Sequence, residues 1–600
     1  MGGPPNVVSV TPLDIGKPES NSHNLSTSSI RITVKDLNYI VTNANPSPQR
    51  PEKDLYLLNN VNAYFNPGEM SALMGPSGSG KTTLLDLLAG RKTVGRKEGQ
   101  VLFEGVEASM PFLRRFTGYV EQFDTLLGIL TVEEMLLYTA DLKRSTSESG
   151  NDKRIVVDRV IDQLGLDRCR HVQIGDSMRK GISGGQAKRT NIAIALVTTP
   201  KVLFLDEPTT GLDSYTSNEV MTVVQCLSRT GVTVCATIHS PTSFCFSLFD
   251  RVLMLIAGRV VYFGLQGQMA REHFLGLLEP ARRLEVEKDE ENTHNLAELL
   301  VNIITEADRA GKRDEIVEGY KNSPLGAQNL LDLDAYIADS KSTVMDPQLK
   351  KELSVTSATM TPWWWGVRTY VKYRTKKNYS DFTFLLPRIM DKMFIAIIMM
   401  TLYLNVGRHK HGSTLIQNVA AILFMTCATT GFVAASYIPA LVLERPLFVR
   451  ERNDGLFHVN TYLMSKMIDE LMINSLSSLV MCMTIYCGIG LSGNFGTFWF
   501  TYFVGVATGI AIAYFVAAIS PNMDVANALL PVYAVTLMLF AGFLIRYPSM
   551  PPWWRWYSYI DFCRYGWSAV MKNQFTKNNI IFLDNLTVLQ YYGLEHVKTW

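Results

Sequence analysis

Residues 75–83, Gly75-Pro76-Ser77-Gly78-Ser79-Gly80-Lys81-Thr82-Thr83, satisfy the spacing G-x-x-x-x-G-K-[ST] in full. Glycines at that spacing let consecutive backbone N–H groups turn inward around a phosphate. Lys81 is placed to reach the β- and γ-phosphates, and Thr82 to hold Mg²⁺. Much further along, Val202-Leu203-Phe204-Leu205 delivers two acids, Asp206 and Glu207, to the tip of one apolar run. Two carboxylates at one strand tip can serve a metal ion and a water molecule separately. Phosphoryl transfer asks for positioning and charge neutralisation more than for covalent catalysis. These residues imply a site for a nucleotide and its Mg²⁺.

The surrounding elements suit that task. Met70 to Met74 reads as a strand and Leu84 to Ala89 as a helix, so the glycine loop lies between a strand and a helix N-terminus with its partial positive charge. Gly118-Tyr119-Val120-Glu121-Gln122 ends a β-like run with an amide side chain. Thr131-Val132-Glu133-Glu134 has the pattern of a capping box opening an amphipathic helix. Ile182-Ser183-Gly184-Gly185-Gln186 precedes a helix over 187–197, and Gly211-Leu212-Asp213-Ser214 follows the two acids. A last apolar strand, Val232 to Ile238, ends in His239. Tyr39 or Tyr56 could offer an aromatic face to a base, and simple packing is the alternative for either.

The order and spacing of these motifs over residues 30–300 resemble the ATPase domain of ABC transporters. That resemblance implies roles residue by residue. Gln122 is the glutamine that senses Mg²⁺ and touches the membrane domain. Ser183, Gly184, Gly185 and Gln186 form the signature loop that caps ATP held by a second subunit. Asp206 supports Mg²⁺ through water, Glu207 polarises the attacking water, Asp213 sits at the dimer seam, and His239 contacts the γ-phosphate. Ile182 stands where the family usually has Leu, a volume-conserving exchange.

Six hundred residues exceed what one core carries, so at least two domains are expected. A net charge of +2 gives no electrostatic case for nucleic acid. The eight cysteines have no metal-ligand spacing and read as reduced. Residues 1–29 read as a disordered tail, and no cleaved signal peptide is expected. From Ala257 to Glu352 the chain is polar and partly helical, with a charged run from Glu285 to Glu291, and reads as an appendix (to residue 300) and linker (301–360) with a mobile stretch near 306–355. Trp363-Trp364-Trp365, followed by Arg368, Lys372, Arg374, Lys376 and Lys377, suits an interfacial helix over 361–380. Five apolar stretches follow, roughly 388–406, 415–438, 464–490, 496–519 and 525–546, the first weakened by Arg388, Asp391 and Lys392. Residues 381–600 are thus expected to be a helical membrane domain with an external loop over 547–600.

An ATPase placed before the membrane domain resembles the G subfamily of ABC proteins, the White, sterol and multidrug half-transporters. The resemblance implies an α/β P-loop ATPase domain followed by an all-α membrane domain. It makes Glu444, Arg445, Arg450 and Glu451 part of a coupling element and Tyr557 to Phe575 an external re-entrant helix. It puts Phe424 and Phe432 on one wall of a substrate cavity, with Val535, Met538, Phe543 and Leu544 opposite. Family members have six spans, and this chain ends at Trp600 where the sixth would begin, which reads as truncation; nor do cysteines follow Cys563. One P-loop and one signature loop per chain imply a functional pair, homodimeric or heterodimeric. The expected function is ATP-driven export of lipids, sterols or hydrophobic xenobiotics by alternating access, from the plasma membrane. An ATP-gated channel or regulator, or an inactive subunit, remain the alternatives.

Overall fold

The computed structural model describes residues 29–43, 54–176, 179–277, 295–342, 346–408, 412–435, 437–576, 579–583 and 585–595. The expected N-terminal tail up to residue 28, the charged run Glu285–Glu291 and the short segment His409-Lys410 lie outside the described residues. The strands of the described residues are β1 (Ile32–Thr42), β2 (Asp54–Phe65), β3 (Met70–Met74), β4 (Arg96–Phe103), β5 (Val106–Glu107), β6 (Thr117–Val120), β7 (Val202–Asp206), β8 (Thr233–Thr237), β9 (Arg251–Ile256), β10 (Arg259–Leu265), β11 (Ile581–Leu583) and β12 (Leu586–Thr587). The chain forms two compact units: residues 1–108, 200–205 and 221–354, and residues 109–199, 206–220 and 355–600.

In the first unit, β2-β1-β4-β5 form an antiparallel sheet, and β10-β9-β3-β8-β7 follow one another in a second. β3 runs parallel to both β8 and β9, and all five of its residues are buried. A strand covered on both faces needs an unbroken apolar run rather than alternation, and Met70-Ser71-Ala72-Leu73-Met74 supplies one. The helices Leu296–Arg309, Arg313–Lys321, Pro324–Ser342 and Pro347–Leu353 occupy the stretch expected to hold the linker. Buried Asn329 fastens one of them, donating to the Phe263 carbonyl at 2.6 Å, while Tyr64 lies edge-on to Phe263 and to Tyr336.

The second unit is mainly helical, with only the short strands β6, β11 and β12 among its described residues. Val132–Lys143 opens with the capping box, Thr131 accepting from the Glu134 amide and Glu134 from the Thr131 amide. Among the described residues four helices are long and apolar enough to cross a membrane: Ser413–Val433, Val459–Ile489, Phe495–Ile519 and Met523–Phe540. Phe382–Leu402, 21 residues over the first apolar stretch, is not among them because of its three charges, so four of the five expected stretches qualify. Arg388 and Lys392 nevertheless turn toward a neighbouring helix, whereas Asp391 is exposed. Lys392 is 3% exposed and donates to Ser477 at 2.6 Å and Asn474 at 3.2 Å, and Arg388 reaches Glu470 at 3.3 Å. Ionisable groups at such depth are tolerated when they pair with a neighbouring helix. The tryptophan-led segment forms Trp363–Tyr370, one π-helical turn (Val371–Thr375) and Lys376–Ser380. It docks on Val132–Lys143: the Trp365 indole donates to the Asp141 carbonyl at 2.9 Å, and Lys377 reaches the Glu134 carboxylate at 3.0 Å. The expected re-entrant region is two helices, Arg555–Ile560 and Phe562–Phe575.

Candidate functional site

The glycine loop of the first unit is shaped by backbone that only glycine accepts easily. Gly75 has φ +138°, and a Cβ there would stand 2.2 Å from the Leu255 carbonyl oxygen. Around Gly78, by contrast, nothing lies within 4 Å of a built Cβ, so the loop encloses open space on that side. Lys81 is 6% exposed, and its ammonium donates at 2.8 Å to the carbonyls of Gly75 and Pro76, drawing it across the loop. Gly80 precedes the helix Lys81–Leu88, so the amides at that N-terminus complete a cradle for an anion. The donor set and the room beside Gly78 fit the phosphates of a nucleotide. Ser77 and Thr83 flank the cradle, and the buried Ser79 hydroxyl has no hydrogen-bond partner among the described residues. His239 is exposed, with Nδ1 3.1 Å from the Ser240 hydroxyl. Tyr39 is 4% exposed with its hydroxyl donating to the Val94 carbonyl, so its ring packs against protein here, whereas Tyr56 is 52% exposed.

In the second unit Gln122 and Glu207 meet. The Gln122 amide donates to Glu207 Oε2 at 2.8 Å and the Thr210 hydroxyl donates to the same oxygen at 2.9 Å. Glu207 has φ +45°, a sparsely populated conformation for a side chain of its size that the surrounding contacts must sustain. Asp206 beside it is 5% exposed. Asp213 accepts from the Thr216 amide and hydroxyl, both at 2.9 Å, which hold its carboxyl below the usual carboxylate value. Ser183 caps the helix Gly184–Leu196 reciprocally with Gln186, and a Cβ on Gly184 would meet nothing within 4 Å. The signature residues thus leave a helix N-terminus open to solvent.

Sequence reasoning overlooked two residues of that helix. Lys188, 1% exposed, donates to the carbonyls of Glu121 at 2.9 Å and Gln122 at 2.8 Å, so it holds the backbone on which Gln122 sits. Burial lowers its affinity for the proton, and the carboxylates of Asp124 and Asp206 oppose that shift. Asn191, also 1% exposed, donates to Asp124 at 2.7 Å and accepts from Arg450. The only sequence signal was their i, i+3 spacing after the signature, which places both on one helix face.

Arg450 belongs to the helix Ile438–Asn453, the expected coupling element. Besides Asn191, its guanidinium reaches the Thr125 carbonyl and lies 3.6 Å from Asp454. Glu451, 2% exposed, accepts from the Tyr138 hydroxyl at 3.2 Å and from Arg374 at 3.1 Å. Burial pushes the Glu451 carboxyl up, with Arg374 pulling it back. Burial also works against the Arg374 charge, yet Tyr370 and Glu451 hold that guanidinium above its ordinary value. Glu444 accepts from Lys466 at 2.9 Å and Tyr462 at 3.3 Å. Against the burial that would raise it, Lys466 and Arg374 hold its carboxyl below the usual range. Arg445 faces elsewhere, donating to the carbonyls of Ala517 and Ser520 at the end of Phe495–Ile519.

Comparison with known proteins settles the family. Residues 58–210 match the ABC transporter family and residues 366–575 the ABC-2 type transporter family. The broad substrate specificity ATP-binding cassette transporter ABCG2 of Bos taurus is 30% identical over 541 residues, 87% of this chain and 81% of the relative. Its counterpart in Sus scrofa is 31% identical over 544 residues, with the same coverage. The chain belongs to the G subfamily of ABC transporters. It is a membrane protein with an N-terminal α/β ATPase domain of cytosolic type that binds and hydrolyses nucleotide, followed by a helical membrane domain.

Within this G-subfamily chain the six expected cavity residues divide into two groups. Phe424 is 2% exposed and stacks on half-buried Phe543 with centroids 4.8 Å apart, and Met538 packs against the same core. Phe432, Val535 and Leu544 are each exposed by more than 45%.

Proposed function

We propose that this chain is a half-transporter that exports apolar or amphipathic molecules (sterols, lipids or hydrophobic xenobiotics) as a dimer, from the plasma membrane. In this reading ATP is held by Gly75 to Thr83 of one chain and capped by Ser183, Gly184, Gly185 and Gln186 of the other, with Asp213 at the seam. Mg²⁺, when bound, neutralises charge on the transferring phosphoryl group; Thr82, Gln122 and Asp206 are the residues suited to hold it. Glu207 orients and polarises the attacking water, and His239 contacts the γ-phosphate. The observation that carries the reading is the bridge Asp124–Asn191–Arg450, which ties the signature helix to the membrane domain within one hydrogen-bonded chain. A helix so tied cannot move on ATP closure without drawing Ile438–Asn453 with it, and a bistable membrane domain would convert that pull into outward opening. The exposed apolar side chains of Phe432, Val535 and Leu544 favour an uncharged cargo surface. The test is ATP hydrolysis by the lipid-reconstituted chain with sterols and flat aromatic drugs added in turn. Stimulation by one class supports export of that class by a homodimer. Absence of any hydrolysis by the chain alone would sink the homodimer in favour of a pair with a second half-transporter.

A further inference from the structure

Arg445 is the one member of the expected coupling set that does not turn toward the ATPase or toward Arg374. Its Nη2 caps two carbonyls at the C-terminal end of Phe495–Ile519, Ser520 at 2.9 Å and Ala517. Its Nε and Nη1 have no hydrogen-bond partner among the described residues, and it lines one end of a cavity of about 630 Å³. The rest of that cavity is apolar: Val449 from its own helix, Val459 and Leu463 from Val459–Ile489, and Tyr514 and Phe515 from Phe495–Ile519. Val459, Leu463 and Phe515 are exposed by 45% to 65%. The Tyr514 hydroxyl is buried with no hydrogen-bond partner among the described residues. Nearby Glu444 is already engaged by Lys466 and Tyr462, so the cation at the groove's end is Arg445's.

The groove's depth follows from its walls. Helix Ile438–Asn453 holds residues of the ATPase through Arg450, so this end of the bundle is cytosolic. An apolar trough with one guanidinium at its cytosolic rim matches a single lipid, head at the rim and chain along the wall. The cytosolic leaflet is the acidic one, and a guanidinium binds phosphate oxygens in a fixed fork. We infer that this groove holds one acidic phospholipid of the cytosolic leaflet, its phosphate on Arg445 and an acyl chain against Leu463 and Phe515. Because the lipid would brace the helix that also carries Arg450 and Glu451, its occupancy would tune how firmly ATPase and membrane domain are linked. The inference rests on the membrane-spanning reading of these helices and not on the identity of the cargo.

The experiment uses the full chain, reconstituted in vesicles of equal phosphatidylcholine and phosphatidylglycerol, re-extracted gently, with retained lipids counted by native mass spectrometry. The expected result is one phosphatidylglycerol per chain, preferred about fivefold over phosphatidylcholine, as a single cation near the surface provides. Ala511→Phe and Ala518→Phe fill the groove from exposed positions without altering charge and should abolish retention. Arg445→Gln should abolish the preference. Equal retention of both lipids overturns the inference, as does retention of a sterol in their place. So does a phosphatidylglycerol preference that survives both alanine replacements, since that would be a diffuse electrostatic halo. The count needs no transport, so a failed export assay leaves it readable.

Discussion

Removing the carboxylate of Glu451 should destabilise the chain strongly unless its guanidinium partner is removed with it. Glu451 and Arg374 are 2% and 3% exposed and 3.1 Å apart. With Glu451→Leu, Arg374 keeps Glu444 at 3.6 Å and the Tyr370 ring at 4.5 Å, while the Tyr138 hydroxyl loses its acceptor. Breaking one side of a buried pair costs about 3–5 kcal/mol, and the surviving Glu444 contact places this case near the lower end, about 3. Arg374→Met strands Glu451 with the Tyr138 hydrogen bond and should cost a similar ~3 kcal/mol. The double variant leaves neither charge uncompensated, because Glu444 retains Lys466 at 2.7 Å. It should therefore cost about 3 kcal/mol or less rather than the ~6 of two independent losses, a coupling of about 3 kcal/mol. The assay is thermal unfolding of the detergent-solubilised protein, with all four members of the cycle scanned at one rate. Midpoint shifts that simply add would refute the reasoning and show that the two side chains act independently.

Two further outcomes follow from the same geometry. Glu207→Gln preserves the contacts of Gln122 and Thr210 in shape, so nucleotide binding should persist while hydrolysis falls by about 10²–10⁴-fold, measured as phosphate release. Burial against Tyr262, Phe274 and Tyr320 lowers the His273 pKa from its ordinary 6.5. The unfolded chain then binds the proton more readily, so this contribution is complete above about pH 6.5 and is lost as the pH falls below it. His273→Phe should flatten that part of the stability–pH curve, and an unchanged slope would exclude His273 as its source.

How much was legible in the sequence depended on how local each signal was. The glycine loop, the capping box at Thr131 and the acids at the end of β7 are set by spacing within a few residues, and each stands in the element expected of it. The coupling segment was legible as a block, but not in its destinations. Successive helical residues diverge by about 100°, whereas residues seven apart share a face. Glu444 and Glu451 therefore both meet Arg374, while Arg445 turns toward Ser520 and Arg450 toward Asn191. No local pattern could pair Arg450 with a residue 259 positions earlier. The first span was faint because Arg388, Asp391 and Lys392 dilute its apolar character, although Arg388 and Lys392 are satisfied by the helix Val459–Ile489. Lys188 read as an ordinary helix lysine because its acceptors are backbone carbonyls, which carry no signature in side-chain types.

Arg450→Met is the most direct test of the proposed link between ATPase and membrane domain. It keeps the stem of the side chain and strands the Asn191 and Thr125 oxygens, at about 1–3 kcal/mol each. ATP hydrolysis and ATP-driven uptake of a cargo that stimulates hydrolysis would be measured in the same inside-out vesicles, for wild type and variant. Hydrolysis retained with uptake lost, so that cargo moved per ATP collapses, is the expected result. Hydrolysis and uptake falling in proportion, or both persisting, would contradict a link through Arg450.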